Sequence, residues 1–515
     1  MENTLCTCIV AIVCLGYVTA ESGAFTNYVN MEKLYTLEDE LITLTDVIIR
    51  QERVLHDDED THGIYNISST VENVKAIHRE IVSSRNLSSY LVNPVNIYHM
   101  TKRLVKDWTK VIATLEDSKS CVKVMRSKVE NIADNIPSGS NLKHVITGVL
   151  RLQAIYNISV SDVMSGSFSE FPALSNLSLD DAFEFARVAY ETEQYYLSVV
   201  WLKEVISLYD QQSSAKFKLS NAMNLLSSAY LKLQRPTDAL ATLDELLKTD
   251  PNNMVAARNS KYIIQKIDSG MADADVNQQE LKSKKDKLLQ KYCKPDTRAR
   301  KPKPNQFCTY TSTRQMGYFD RPSIETEVLS RKPLIVLYKN ITTRSQQKAV
   351  AYLGYEQMKA IMYKNLYTHP GGIDGLHVED NTNWQWIPNL QTTLYDIDIT
   401  ERNPIQSRLM VRNIGLHGME NKPLGESERT RLGTFVVFLT EPKYGGGDVV
   451  FPFANIKVKP EKGSVLFYER KVHKQATICP VIADTEWVGL YGLYDQLYSD
   501  ICYKDVLHRP TMNSK

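Results

Sequence analysis

The C-terminal part of the chain, from Arg408 to Tyr491, consists of short apolar runs that are separated by turns. Runs of this length that are rich in valine, isoleucine, threonine and aromatic residues predict strands. The predicted strands cover residues 409–415, 434–440, 446–452, 463–468, 479–481 and 487–488. This part of the chain is therefore expected to fold as a β domain.

Two segments nearer the N-terminus carry apolar residues at spacings of three and four, which places them on one face of a helix. The first contains Leu34, Leu37, Leu41, Leu44, Ile48 and Leu55, and the second contains Ile97, Met100, Leu104, Trp108, Val111 and Leu115. Such a seam is either the core face of a helical bundle or the contact of a dimerising coiled coil. The residues alone favour the bundle.

The middle of the chain, residues 147–264, has the pattern of tetratricopeptide-type (TPR-like) helical hairpins. The offsets of one repeat of about 34 residues are matched by Leu226, Tyr230, Ala239, Leu243, Leu246 and Pro251. The preceding hairpin contains Tyr190, Tyr195, Tyr196 and Trp201. Aromatic side chains at such places either pack between the helices or line a groove for an extended peptide.

In order and spacing, these segments resemble the collagen prolyl 4-hydroxylase α subunit family. The resemblance covers nearly the whole chain beyond residue 20, implies an α+β multidomain fold, and shifts the interpretation of the N-terminal seam towards a coiled coil. The implied parts are a helical dimerisation region at 21–140, a TPR-like peptide-substrate-binding domain at 147–264, a basic disulfide-bearing linker at 265–330, and a double-stranded β-helix (jelly roll) at 331–515.

The family's reaction is that of a procollagen-proline 4-dioxygenase, which uses Fe(II), 2-oxoglutarate and ascorbate (vitamin C). Two histidines and one carboxylate hold the iron in this chemistry. In this chain the family's ligand positions fall on Pro423, Gly425 and Ala476, and its 2-oxoglutarate lysine falls on Glu486. A carboxylate at Glu486 repels the co-substrate's carboxylate. The sequence therefore predicts a catalytically silent member that retains peptide or partner binding.

The alternative is an active dioxygenase whose iron ligands have moved to neighbouring positions. The available substitutes are His417, Glu420 and His473. Metal sites need ligands whose geometry surrounding residues hold in place, and proximity in the sequence does not supply that geometry. The competing interpretation of the two histidines is that they are solvated loop residues.

For the middle region, the resemblance implies that tyrosines line a groove for proline-rich, collagen-like peptides. The residues at these places are Tyr190, Tyr195, Tyr196, Trp201 and Tyr230. Leu225, Ser228 and Leu231 stand near positions where the family has further tyrosines, so weaker or altered peptide binding is expected. Packing between helices is the alternative for the four tyrosines, and at least half of them are expected to pack in this way.

The first 20 residues read as a secretory signal. Leu5 to Val18 form an apolar core, and Val18-Thr19-Ala20 is a small-residue cleavage pattern, although the segment before the core lacks lysine and arginine. A signal anchor is the alternative. No later apolar run approaches a membrane span, and the net charge of +1 gives no reason to expect nucleic acid binding. The expected location is the lumen of the endoplasmic reticulum.

An oxidising compartment makes disulfides and N-glycosylation relevant. The five cysteines beyond the signal are Cys121, Cys293, Cys308, Cys479 and Cys502. Near neighbours in the chain and the family's disulfides both suggest Cys293 with Cys308 and Cys479 with Cys502, although sequence cannot fix connectivity. Glycosylation sequons occur at Asn66, Asn86, Asn157, Asn176 and Asn340.

The family resemblance also implies partners. Protein disulfide isomerase is the expected β subunit, and it would retain a chain that ends Thr511-Met512-Asn513-Ser514-Lys515 without a retention signal. The N-terminal helices are expected to mediate self-association, and the peptide ligand is expected to be proline-rich or collagen-like.

Overall fold

The computed structural model describes residues 27–55, 62–83, 87–117, 136–209, 215–273, 284–294, 306–312, 323–364, 391–394, 409–414, 419–420, 431–473 and 476–494. The predicted signal, Cys121 and Cys502 lie outside these stretches. Within them, no helix combines the length and the apolar character that a membrane crossing requires.

Helices form the first part of the described chain. They are α1 (Tyr28–Leu55), α2 (His62–Ser83), α3 (Leu87–Val92), α4 (Pro94–Lys102), a π-helical turn (Arg103–Trp108), α5 (Thr109–Asp117), α6 (Gly139–Tyr156) and α7 (Val160–Ser165). Helix α4 begins at Pro94 because Asn93 caps it: the Asn93 side chain accepts hydrogen bonds from the next free backbone N–H groups. Helix α6 ends at Asn157, which adopts the left-handed conformation.

The apolar seam of the N-terminal helices faces other helices of the same chain. Leu34, Leu41, Leu104 and Trp108 are almost completely buried in one continuous core. The seam therefore forms the core of a bundle, as the residues alone favoured. These side chains are not free to form the contact of a dimer, so the coiled-coil interpretation of this seam is wrong for the described helices.

A buried ionic cluster holds this bundle together. The Glu38 carboxylate, from α1, is completely buried and accepts hydrogen bonds from Arg103 Nε and Nη2 at 2.9 and 2.7 Å. Trp108 Nε1 donates to it at 3.2 Å, and His78 Nε2 lies 3.0 Å away. Burial alone would raise the pKa of Glu38, but the charge of Arg103 and hydrogen bonds from His78 and Arg103 outweigh burial and lower it to about 2.

The predicted start of the repeat region at residue 147 lies within α6, and two helical hairpins and one further helix follow from Leu179. The elements are α8 (Leu179–Glu191), α9 (Tyr195–Tyr209), α10 (Leu219–Lys232), α11 (Pro236–Thr249) and α12 (Met254–Asp268). Helix α8 pairs with α9 and α10 pairs with α11, and α12 packs on α11. Ser178 and Asp181 form a capping box that fixes the start of α8.

A short helix, α13 (Lys284–Cys293), leads into a domain of two antiparallel sheets. The domain's elements are β1 (Phe307–Ser312), β2 (Ser323–Arg331), β3 (Leu334–Tyr338), α14 (Arg344–Lys364), β4 (Gln391–Leu394), β5 (Leu409–Ile414), β6 (Met419–Glu420), β7 (Arg431–Phe438), β8 (Val449–Phe451), a 3₁₀ turn (Pro452–Ala454), β9 (Ile456–Val458), β10 (Val465–Glu469), α15 (Arg470–His473), β11 (Thr477–Ile478) and β12 (Glu486–Tyr494). The larger sheet has the order β1-β2-β3-β10-β7-β12-β5-β4, and the smaller has the order β6-β11-β8-β9.

The two sheets share one apolar core. Val436 and Leu466 of the larger sheet and Val449 and Phe451 of the smaller are buried in the same cluster. This arrangement is consistent with the expected double-stranded β-helix. The larger sheet begins at Phe307, so the residue-331 boundary between linker and β domain cuts through paired strands: β1 and β2 belong to the sheet.

The expected disulfide pairing is wrong. Cys293 is bonded to Cys479, with their Cα atoms 5.7 Å apart, and Cys308 is an exposed free thiol on β1. The reason is packing: Leu289 and Tyr292 of α13 are buried in one cluster with apolar residues of α6 and β8, which brings the end of α13 against Cys479. The cysteines that are near neighbours in the sequence are therefore not the ones that are bonded in the structure. The bond covalently joins the helical part of the chain to the β domain.

Candidate functional site

The position of the expected 2-oxoglutarate lysine carries a buried carboxyl group. Glu486 is the first residue of β12, a strand that lies between β5 and β7, and its side chain is completely buried. Among the described residues, neither carboxyl oxygen has a hydrogen-bond partner. Burial raises the pKa of Glu486 well above its usual range, and the charges of Asp448 and Asp484 raise it further. Burial therefore favours the neutral carboxylic acid over the carboxylate.

A glycine loop closes over this carboxyl group. Gly447 has a φ of +73°, and a Cβ added there would lie 2.4 Å from Glu486 Oε2. A Cβ at Gly446 would lie 2.1 Å from the carbonyl oxygen of Pro480. Both positions therefore require glycine, for conformation and for space. The loop occupies the volume directly beside the Glu486 carboxyl.

A tyrosine of the helical part reaches the same place. Tyr156, the last residue of α6, donates a hydrogen bond from its hydroxyl to the carbonyl oxygen of Pro480 at 2.6 Å. Burial raises the pKa of Tyr156, and the charges of Asp448 and Glu486 contribute to the rise. On the other side, Lys457 Nζ lies 3.1 Å from Asp448 Oδ2. The site is thus an interface between the helical part and the β domain.

The residues at the family's iron positions do not fit iron. Ala476 precedes β11 and is buried, and its methyl side chain has no atom that can coordinate a metal. Pro423 and Gly425 lie outside the described residues, and neither has a ligating side chain. The buried carboxyl of Glu486, with no cation bonded to it, likewise does not fit a dicarboxylate co-substrate. No step of the family's reaction can be routed through these residues.

The three substitute ligands are described only in part. Glu420 lies on β6, with its backbone opposite Thr477 of β11, so its strand runs beside the position that follows Ala476. His473 ends α15, which packs on β7 and β10. His417 and the side chains of Glu420 and His473 lie outside the described residues. The relocated iron site therefore stays a prediction.

The aromatic residues of the repeat region fall into two groups. Tyr190, Tyr195 and Tyr196 are half-buried, and the rings of Tyr190 and Tyr195 pack edge to face at 5.4 Å. Trp201 is completely buried and donates a hydrogen bond to Gln153 Oε1 at 2.8 Å. Trp201 is therefore a core residue, and its assignment as a peptide contact is wrong. The first group keeps exposed ring surface.

Tyr230 is also largely buried. Its ring lies between two cations, with Lys203 Nζ at 5.7 Å and the Arg235 guanidinium at 6.0 Å from the centroid. Such a ring contributes to packing first and presents only a small edge to a ligand. Leu225, Ser228 and Leu231, at the places of the expected additional tyrosines, are half-buried on α10.

Sequence reasoning missed Tyr156 and Asp448. Tyr156 was hidden because its contact is with a residue 324 positions away, and no local pattern marks such a pair. Asp448 follows three glycines. A run of glycines marks a loop, so a charged residue directly after it could have been chosen as a candidate site residue. Among the sequons, Asn157, Asn176 and Asn340 are exposed, whereas Asn86 and the side chain of Asn66 lie outside the described residues.

The unpaired carboxyl predicts a pH dependence of stability. Because the folded-state pKa of Glu486 is raised, the folded chain holds a proton that the unfolded chain loses near pH 4.5. Stability is therefore full below that pH and falls by about 1.4 kcal/mol per unit as the pH rises towards the folded pKa. Glu486→Gln removes this slope, so we expect its melting temperature relative to the parent to be higher at pH 8 than at pH 5.

Calorimetry at the two pH values measures this difference. The matched control is Glu245→Gln, because Glu245 is exposed on α11 and its substitution should change the melting temperature little. An equal shift at both pH values for Glu486→Gln would contradict a buried neutral carboxylic acid.

The chain is similar to known proteins over most of its length. Residues 27–170 match the family described as the prolyl 4-hydroxylase α-subunit N-terminal region, and residues 179–268 match the prolyl 4-hydroxylase peptide-substrate-binding domain. A prolyl 4-hydroxylase subunit alpha-2 of Caenorhabditis elegans is 23% identical over 95% of this chain and 94% of its own length. A human subunit alpha-3 is 24% identical over 78% of this chain and 81% of its own length.

Among solved structures, the viral collagen prolyl hydroxylase of Paramecium Bursaria Chlorella virus-1, in its 2OG complex, is 16% identical and covers 31% of this chain and 93% of its own, with a TM-score of 0.17. A score this low carries no argument about the fold. The two family matches, together with relatives that align over most of the chain, identify the lineage. The chain belongs to the prolyl 4-hydroxylase α-subunit family.

Proposed function

We propose that this chain is a catalytically silent α-subunit-like protein that binds peptides or a protein partner. The observation that carries the proposal is Glu486, a fully buried carboxyl without a hydrogen-bond partner where the family resemblance implies a lysine. Ala476, Pro423 and Gly425, at the iron positions, add no ligating atom.

The argument against the co-substrate rests on charge and on space. A dicarboxylate entering a buried site needs a cation or several hydrogen-bond donors to replace its hydration. Glu486 is either a neutral acid or, when ionised, a negative charge that repels the dicarboxylate. The charge of Asp448 also raises the pKa of Glu486. The Gly446–Gly447 loop and Tyr156 fill the surroundings. A dicarboxylate would have to displace all of these groups.

The argument for peptide binding rests on the first hairpin of the repeat region. Tyr190, Tyr195 and Tyr196 are half-buried, so each ring is held by packing and still presents a face. Rigid aromatic faces suit a polyproline II chain, which is preformed and largely apolar. This binding requires no metal, so it persists without catalysis.

The expected location and assembly follow from the family. We propose residence in the lumen of the endoplasmic reticulum, glycosylation at exposed sequons such as Asn157, Asn176 and Asn340, and assembly with protein disulfide isomerase as a β subunit. Self-association through the N-terminal helices would have to use surfaces other than the buried seam. Recovery of the isomerase with the tagged chain from secretory-pathway extracts tests the assembly.

The second candidate is an active dioxygenase with relocated iron ligands. The observation in its favour is that the backbone of Glu420 lies on β6, opposite Thr477, one residue beyond the position of the family's second histidine. A carboxylate at that strand, together with His417 and His473, would supply the ligand types that the chemistry needs.

Metal and co-substrate binding decide between the two. We expect the purified chain to bind Fe(II) no more tightly than Glu420→Gln, and to give no saturable heat with 2-oxoglutarate in calorimetry. The physical reason is the absence of ligating atoms at the three iron positions and the carboxyl at Glu486. Stoichiometric iron that is lost in His417→Ala or His473→Ala would refute the silent state and support the relocated site.

Peptide binding has its own test. We expect the full chain to bind a proline-rich, collagen-like peptide in the micromolar to millimolar range, because the groove has few anchors. Tyr196→Ala should weaken binding about tenfold, since one aromatic anchor is commonly worth over 1 kcal/mol. Tyr310→Ala, which removes an exposed tyrosine of β1, is the matched control. Equal affinities for both variants would mean that the hairpin tyrosines only pack the core.

A further inference from the structure

The last helix of the repeat region presents an apolar strip on its surface. We define the α12 strip as Met254, Val255, Arg258 and Tyr262, which lie at spacings that place them on one side of the helix. Met254, Val255 and Tyr262 are 83%, 48% and 50% exposed. These three large apolar side chains lie close together on one side of a surface helix, with Arg258 among them.

The architecture explains why the strip is open. Helix α8 packs against α9 and α10 packs against α11, so each of the first two hairpins is complete. Helix α12 stands where a third hairpin begins, but the next described helix, α13, packs on α6 and β8 instead. Repeats of this type bury their apolar faces against the following helix, and a terminal helix needs a polar outer face to stay soluble. On α12 this outer face is only partly polar, because Met254, Val255 and Tyr262 are exposed beside Arg258.

The charged side chains at the strip are mainly basic. Arg258, Lys261 and Lys266 are exposed on α12, and the Lys266 ammonium lies 5.5 Å from the centroid of the Tyr262 ring. Asp268, at the helix end, is the single acidic residue of α12. Arg258 lies within the strip and Lys261 and Lys266 lie beside it, so the surface combines apolar and basic side chains.

We propose that the α12 strip docks an acidic amphipathic helix of a partner protein, which completes the third hairpin. Apolar side chains of that helix cover Met254, Val255 and Tyr262, and its carboxylates meet Arg258 and Lys261. A second copy of this chain is disfavoured as occupant, because pairing two α12 strips would bring like charges together. The surface does not use the tyrosines of the first hairpin, so it is independent of the proposed peptide groove.

The probe is a labelled helical peptide of about five turns, or about 18 residues. It carries leucines at i, i+3, i+4 and i+7 and glutamates at the flanking positions, and a counterpart carries lysines instead of the glutamates. Titrated against the full chain, the acidic peptide should bind saturably in the micromolar range, and at least about tenfold more tightly than the basic one. Increasing the salt concentration should lower the affinity of the acidic peptide. Equal binding of both peptides, or no saturable binding, would overturn the proposal.

Paired variants locate the surface. Met254→Gln with Tyr262→Gln should lower the affinity for the acidic peptide at least about tenfold. The control is Ile264→Gln: Ile264 is 43% exposed on the same helix but lies about 200° around the axis from Tyr262. An equal loss in the control would show that binding does not involve the strip, and the proposal would fail.

A photo-reactive amino acid in place of Val255 identifies what covers the strip in the full chain. Cross-linking to the acidic peptide, competed by unlabelled peptide, is the expected result. Cross-linking to residues 274–283 of the same chain, or to a second copy, would show that one of these covers the strip instead of a partner helix. Either result would overturn the proposal. The peptide groove can be measured in the same samples with the proline-rich peptide, so the two conclusions succeed or fail separately.

Discussion

Replacing both Cys293 and Cys479 by serine is expected to lower the free energy of unfolding by about 5 kcal/mol. The bond closes a loop of 186 residues, and the chain-entropy cost of leaving such a loop open grows with its length. The bond also joins α13 to the β domain at a cluster that includes Ile155, Leu289 and Val450. Its loss should therefore separate the unfolding of the helical part from that of the β domain.

Differential scanning calorimetry measures both effects, because one cooperative transition should become two. The matched control is Cys308→Ser, which removes an exposed thiol and should change stability by less than about 0.5 kcal/mol. Peptide mapping without reductant provides the independent check. Recovery of a peptide that links Cys293 to Cys308 would contradict the pairing seen here.

The second large effect is expected at Glu38. Glu38→Gln leaves the Arg103 guanidinium buried with no charged partner in the cluster, and breaking one side of a buried ion pair typically costs about 3–5 kcal/mol. The indole of Trp108 also loses its carboxylate acceptor. Urea unfolding of the parent and the variant measures the loss, and Glu441→Gln, which breaks an exposed pair with Lys459, should cost under about 1 kcal/mol.

The Glu38 cluster also predicts a pH dependence, and its sign is opposite to that of Glu486. Because the folded-state pKa of Glu38 is lowered to about 2, the stabilisation is present above the ordinary carboxyl range near pH 4.5 and is lost as the pH falls towards 2. Glu38→Gln should abolish that acid-side dependence. The interpretation fails if the parent and the variant lose stability in parallel between pH 4.5 and pH 2.

The two carboxyl groups show how burial acts differently with and without a cation. Glu38 is buried against Arg103, so its charged form is favoured and the helices around it are tied together. Glu486 is buried with Asp448 and Asp484 as its charged neighbours, so its neutral form is favoured. The first arrangement stabilises the bundle at neutral pH, whereas the second costs stability there.

Much of the architecture was predictable from the sequence. Apolar spacing predicted the N-terminal helices, repeat offsets predicted the α10–α11 hairpin, and the short apolar runs after Arg408 predicted strands that appear as β5, β7, β8, β10 and β12. The strand predicted at 479–481 is wrong, because these residues follow β11 without strand pairing. These patterns are local, since a helix or strand face repeats every few residues. Residue type at single positions was also informative: the methyl side chain of Ala476 cannot coordinate a metal, and Glu486 is not the cation that the resemblance implies at its position.

Only the tertiary structure decided which residues meet across the chain. The pairing of Cys293 with Cys479, the reach of Tyr156 to Pro480, the burial of Trp201 against Gln153 and the openness of the α12 strip all depend on how distant elements pack. The N-terminal seam is the same kind of case, since its spacing suits a bundle or a coiled coil and packing within the chain chose the bundle. The physical reason is that sequence periodicity records which face of an element is apolar, whereas the partner of that face is set by the shape and volume of the whole core.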